Sequence, residues 1–150
     1  TSIVKNIQRE YAVPNSNTIA DEDGVGGGLV DNLRCVGFVN NSRPIEQRGE
    51  VKNYQNLRSQ CYFKLADYVN ENKIYLQNES IENKKIIIQE LEQIRQVDGD
   101  KDGKLKVITK DIIKQNIGRS PDEADNLMMR MYFEIKPTFK GIKKISYGTT

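Results

Sequence analysis

Thr18-Ile19-Ala20-Asp21-Glu22-Asp23-Gly24-Val25-Gly26-Gly27-Gly28 is the stretch whose reading decides the fold. A short apolar run carries acidic side chains to the point where it stops. A glycine turn follows, and Leu29-Val30-Asp31-Asn32-Leu33 starts an amphipathic helix. Strand, acidic tip, tight turn and helix in that order put carboxylates at a strand's C-terminal end, where open α/β sheets bind ligands. Glycine there lets backbone approach a ligand or another element with no Cβ between them. Carboxylate oxygens suit hard divalent ions, Mg²⁺ or Mn²⁺. One acidic tip does not make a metal site, so the rest of the chain has to supply a second.

Upstream, Ile3, Val4, Ile7 and Tyr11 recur at helical spacing over residues 2–11, with Ser2 as the expected cap. Pro14 and the polar residues after it end that helix. Downstream, the helix over 25–34 leads into Cys35-Val36-Gly37-Phe38-Val39, a second strand apolar enough for a buried position. A strand–helix–strand unit predicts two parallel strands with a right-handed crossover. Residues 40–50 lack periodicity and read as an exposed loop.

Tyr54, Leu57, Cys61, Leu65 and Tyr68 then mark a helix over about 53–71, and Ile74-Tyr75-Leu76 a short extended piece. Ile87, Leu91 and Ile94 mark another helix over 80–95, capped by Ser80. Val97 and Leu105-Lys106-Val107-Ile108 flank a polar tip and read as a hairpin. A short helix covers 109–116 and stops at Gly118. Ser120-Pro121-Asp122-Glu123 opens the last helix, with Ser as cap, Pro at the first position and acids in the first turn. Ala124, Leu127, Met128 and Met131 are its expected buried stripe, and the tail beyond Pro137 is basic.

Composition narrows the function classes. The 150 residues suit one domain with its own core. A mean hydropathy of −0.67 marks a strongly polar surface. There is no histidine, so imidazole acid–base chemistry and imidazole ligands are excluded. Cys35 and Cys61 sit far apart in apolar patterns and read as buried free thiols in a reducing, cytoplasmic setting. No apolar run approaches the ~20 residues of a membrane span. The net charge of +2 neither demands nor forbids a nucleic-acid partner. Lys84-Lys85 and the basic tail can meet phosphates, although charge runs are usually solvated faces.

The second acidic candidate is Asp122 with Asp125, three apart and so on one helix face. Acids at a helix start also complement the dipole without any metal, an explanation that covers Asp122 better than Asp125. Two other motifs fail on inspection. Residues 98–103 match the opening of a calcium loop, but its twelfth position is Thr109 where a bidentate Glu is required, so a solvated hairpin turn is the better reading. Gly24, Gly26, Gly27 and Gly28 do not have the G-x-G-x-x-G spacing, and no Walker lysine follows. Residue by residue, the acids are either metal ligands or helix caps in a non-catalytic α/β interaction module.

Asp21-Glu22-Asp23-Gly24-Val25-Gly26-Gly27-Gly28-Leu29-Val30-Asp31 resembles the second acidic motif of the nuclease domain of tailed-phage terminase large subunits, which runs strand, Asp, two residues, Gly-Val-Gly, helix. Arg119-Ser120-Pro121-Asp122-Glu123-Ala124-Asp125-Asn126-Leu127-Met128-Met129 resembles the third. The two in this order, around Tyr54-Gln55-Asn56-Leu57-Arg58, give the resemblance its specificity. It implies a ribonuclease-H-like fold, a mixed sheet flanked by helices, over residues 1–136, with 137–150 a basic tail. It also implies two-metal hydrolysis of concatemeric double-stranded viral DNA during genome packaging. By the same resemblance Asp21, Asp122 and Asp125 are catalytic metal ligands for Mg²⁺ or Mn²⁺, and Asp23 is an acidic neighbour of lower rank.

The partners implied are double-stranded DNA and, through the parent protein, the terminase small subunit and the portal. The setting implied is a bacterial host's cytoplasm, with a phage or prophage gene. The family's fold begins with three antiparallel strands, the first carrying another metal-binding Asp, and an ATPase motor domain precedes it. This chain starts at the helix after those strands, without Met, and so reads as part of a longer protein. An incomplete metal site, poor cleavage by this piece alone, and an exposed sheet edge inviting homo-oligomers are the expectations that follow. Another ribonuclease-H-like nuclease or a resolvase is the neighbouring alternative.

Overall fold

A computed structural model describes residues 1–23, 26–47, 49, 52–77, 80–97 and 103–136. The calcium-like tip at 98–102 and the tail at 137–150 lie outside them. In chain order the elements are α1 (Ser2–Glu10), a 3-10 turn (Asn15–Asn17), β1 (Ile19–Asp21), α2 (Gly27–Leu33), β2 (Val36–Phe38), α3 (Leu57–Asn70) and α4 (Ile81–Leu91). The remainder are β3 (Gln96–Val97), β4 (Lys106–Val107), α5 (Lys110–Ile117), α6 (Asp122–Arg130) and α7 (Tyr132–Ile135).

The strand–helix–strand unit forms as its sequence dictates. β1 and β2 pair in parallel, with Ile19 opposite Val36 and Asp21 opposite Phe38. β3 and β4 pair antiparallel, as a hairpin should. Among the described residues these are two separate two-stranded sheets, whereas one mixed sheet was expected. The parallel pair comes from the crossover unit and the antiparallel pair from a local hairpin. A single parallel bridge, Tyr54 to Leu105, ties the hairpin to the chain leading into α3.

That bridge corrects the start of α3. Residues 53–56 are held extended beside Leu105, so the helix begins at Leu57, and the Asn56 side chain accepts the Ser59 N–H at 2.9 Å as its cap. α4 does take Ser80 as cap, through Asn83 N–H at 3.1 Å, but ends at Leu91 so that the chain can turn into β3. Two expected caps are not made. Thr1 stands at the start of α1 without a side-chain cap bond, and Pro121, not Ser120, precedes α6. Ile74-Tyr75-Leu76 pairs with no strand among the described residues. Gly118 ends α5 in the left-handed region, φ 74°.

The core gathers around α3: Phe38, Leu57, Cys61, Tyr62, Leu65, Val107, Ala124, Met128, Met131 and Ile135 form one buried cluster. α6 packs on α3, on α4 and on β1, so the second acidic motif and the acidic strand tip lie on neighbouring elements. Cys61 is buried as expected, while Cys35 is only half-buried; both are free thiols. The apolar stripe of α1 is exposed, with Ile3 74% and Tyr11 68% accessible. No described helix is long and apolar enough to cross a membrane.

Candidate active site

The strand tip is built by close approach. A Cβ at Gly26 would overlap the Asp21 carbonyl oxygen, so only glycine lets the turn fold back against the end of β1. At Gly37, in β2, a Cβ would run into the Glu22 carboxylate. These two contacts give the glycines of this unit a packing role. The Glu22 N–H, donating to Phe38 O at 2.9 Å, extends the ladder one step past β1.

Asn40 then ties the acids together. Its side-chain amide donates to Asp23 Oδ2 at 3.0 Å and reaches Asp21 Oδ1 at 3.4 Å, and its backbone N–H donates to Asp23 Oδ2 at 2.7 Å. Asp21 Oδ1 also accepts the Asp23 N–H at 3.1 Å. One oxygen of Asp21 is therefore held, and the carboxylate is fixed at the strand end.

The second acidic element is α6. Asp122 is its first residue, exposed, with no hydrogen bond or ion pair among the described residues. Asp125 lies one turn inward and is 6% exposed. The Tyr62 hydroxyl, from α3, donates to its Oδ1 at 2.7 Å, and Lys110 Nζ, from α5, stands 2.6 Å from its Oδ2. The lysine contact is an ion pair without hydrogen-bond alignment, so Oδ2 remains buried without an aligned donor. Burial, and then the charge of Asp125, push the Tyr62 hydroxyl well above the usual phenol range, which keeps it a proton donor to the carboxylate.

The start of α6 is capped from α4. Glu90, 1% exposed, accepts the Ala124 N–H at 2.8 Å through Oε2 and pairs with the Arg119 guanidinium through Oε1. A buried carboxylate at a helix N-terminus supplies both the missing acceptor and the favourable charge. This is why Ser120 need not cap.

Among the described residues no three acidic or thiol side chains converge closely enough to form a ready metal cluster. The donor chemistry still suits Mg²⁺ or Mn²⁺, which take one or two carboxylates together with waters and substrate phosphates. An Asp125 Oδ2 that has only a lysine beside it is a free ligand atom once that lysine moves.

Sequence reasoning missed Asn40, Tyr62, Glu90 and Lys110. Two carried a signal: Asn40 follows the second parallel strand, whose end must lie beside the first, and Glu90 falls at inward helical spacing between Ile87 and Ile94. Tyr62 and Lys110 carried none, since only tertiary packing turns them toward Asp125.

The chain is similar to the nuclease domain of the large terminase subunit gp2 of bacterial virus Sf6. Over the match 25% of residues are identical, the TM-score is 0.63, and 75% of this chain and 63% of that domain are covered. This chain thus spans less than two thirds of that domain's length. The likeness agrees with the resemblance carried by the two acidic motifs. No protein-family model matches the chain, and no curated protein matches it.

Proposed function

We propose that this chain is the greater part of a terminase nuclease domain, and that its whole protein cuts concatemeric double-stranded viral DNA during packaging. The observation that carries the proposal is the packing of α6 against β1, which puts the Asp21 and Asp122–Asp125 motifs on neighbouring elements. Asp21, Asp122 and Asp125 would hold Mg²⁺ or Mn²⁺. Bound there, such ions activate water and stabilise the leaving oxygen of a phosphodiester.

The chain's own residues do the positioning. Asn40 fixes one oxygen of Asp21, and Tyr62 fixes one oxygen of Asp125. Lys110 neutralises the remaining Asp125 oxygen where a cation belongs, and has to swing away when one arrives. The whole protein would act with the terminase small subunit and portal, in the cytoplasm of the host of a phage or prophage.

The Lys110–Asp125 pair also favours a second reading, a non-catalytic interaction module in which that pair is purely structural. Plasmid nicking with Mn²⁺ separates the two. It should use this chain and the same chain lengthened N-terminally by the strands that the resemblance implies. Nicking by the longer form, lost in both Asp21→Asn and Asp122→Asn, is the expected result. No nicking by the longer form, or nicking that survives both substitutions, refutes the nuclease reading.

A further inference from the structure

Three supports of the acidic residues meet at Arg58, in the first turn of α3. Its backbone N–H donates to Asn40 O at 3.2 Å, and the Asn40 side chain in turn touches Asp21 and Asp23 at the strand tip. Its guanidinium carbon lies 4.9 Å from the centre of the Tyr62 ring, and the Tyr62 hydroxyl donates to Asp125 Oδ1. Its Nη1 donates to Ile108 O at 2.8 Å. Ile108 leads through Thr109 directly into Lys110, which pairs with Asp125 Oδ2.

The placement follows from helix geometry and from the shape of the side chain. Residues 58 and 62 are four apart on α3, so they share one face of it. A guanidinium is flat and rigid, so it can lie over an aromatic ring and donate in its own plane at the same time. No apolar side chain of that length does both.

The charge itself does nothing for the core. Arg58 is only 9% exposed, and its Nε and Nη2 are buried with no acceptor among the described residues. Burying such a group costs stability, and an apolar side chain in place of a buried charge is often neutral or stabilising. The attachment of β4 to α3 does not depend on it either, because the neighbouring Ser59 Oγ accepts the Val107 N–H at 3.4 Å. What the Arg58 side chain supplies is the relative placement of Tyr62 and the segment entering α5.

We infer that Arg58 is a positioning residue: its side chain holds Tyr62 and the approach to Lys110 in register around Asp125, and its backbone ties that assembly to the strand tip through Asn40. The positioning stands on these contacts alone. Its use in presenting Asp125 to a divalent ion rests on the nuclease reading above.

The test compares this chain with Arg58→Met, which keeps length and volume but neither lies flat on a ring nor donates, and with Arg58→Lys, which can still reach Ile108 O. Exchange of the Tyr62 hydroxyl, followed through the deuterium isotope shift at its Cζ, should be roughly tenfold faster in Arg58→Met. Arg58→Lys should fall between that variant and the wild type. The Asn40 side-chain amide signals should stay in place, because its partner is the Arg58 backbone. The urea midpoint should be unchanged or higher. The Mn²⁺ concentration that broadens the Asp125 amide should rise about tenfold or more, as when a residue behind a metal ligand is lost.

Unchanged Tyr62 exchange in Arg58→Met overturns the inference. A lowered urea midpoint, a failure to fold, or loosening of Asn40 together with Tyr62 also overturns it, since each makes Arg58 a support of the whole fold. If Mn²⁺ broadens neither the Asp21 nor the Asp125 amide of the wild type, the metal reading fails instead, and the exchange and urea data still decide the role of Arg58.

Discussion

Replacing Glu90 by Gln should loosen the start of α6 and with it the second acidic motif. The substitution conserves volume and leaves one carbonyl oxygen for the Ala124 N–H, now 2.8 Å from a carboxylate oxygen. It turns an amide NH₂ toward the Arg119 guanidinium, donor against donor, where an ion pair stood. A hydrogen bond to a charged group is worth about 1.5–3 kcal/mol, and a carboxylate at a helix N-terminus adds about 0.3–1 kcal/mol. The Arg119 side chain is 36% exposed and can turn to water, which keeps the loss below the 3–5 kcal/mol of a wholly buried pair. The expected loss is therefore about 3 kcal/mol. At roughly 2–4 °C per kcal/mol for a domain of this size, the melting temperature falls by about 10 °C. Urea unfolding followed by circular dichroism measures the loss, and hydrogen exchange at the Ala124 amide localises it. A loss under about 0.5 kcal/mol with that amide still protected would refute the capping role of Glu90, since removal of a working buried partner cannot be that mild.

The glycines make a paired prediction. Gly26→Ala drives a Cβ into the Asp21 carbonyl and should cost about 1–3 kcal/mol or more. Gly28→Ala, within α2 and with open space around it, should stabilise by about 0.5–1 kcal/mol; equal effects in thermal melts would contradict the close-approach argument. The thiols should separate by accessibility: Cys35 reacts with a disulfide reagent in the native state and Cys61 only after unfolding. Burial pushes the Cys61 thiol up to about 12. Its contribution to stability is thus complete below the ordinary thiol pKa and is lost as pH rises from there toward about 12. Comparing urea midpoints of the wild type and Cys61→Ala across that range checks the sign.

Local chemistry made much of the fold legible. Apolar runs bounded by glycines gave β1, α2 and β2 and their parallel pairing; three-four spacing gave α3 and α6; Gly118 ended α5. What failed depended on distant partners. The start of α3 is set by the Tyr54–Leu105 bridge across 51 positions of chain, which no local pattern encodes. The α6 cap is Glu90 on another helix, so the local choice of Ser120 went wrong. The exposed apolar stripe of α1 shows that periodicity predicts a helix without saying what covers it.

The candidate site divides in the same way. Asp21, Asp122 and Asp125 are candidates from the sequence because carboxylates at a strand end and a helix start form compact motifs. Most of the residues that touch those acids have no such local signal. Tyr62 and Lys110 reach Asp125 from α3 and α5 only through tertiary packing, whereas Asn40 reaches Asp21 and Asp23 through the local β1–β2 pairing.

The most direct test of a shared metal site is Mn²⁺ titration of this chain with backbone amide relaxation as the readout. One site between β1 and α6 requires the amides of Asp21 and Asp125 to broaden together, at the same Mn²⁺ concentration. Asp21→Asn should then abolish the broadening at Asp125 as well as at position 21. Broadening of the two at different concentrations, persistence at Asp125 in Asp21→Asn, or none at either would contradict a common site.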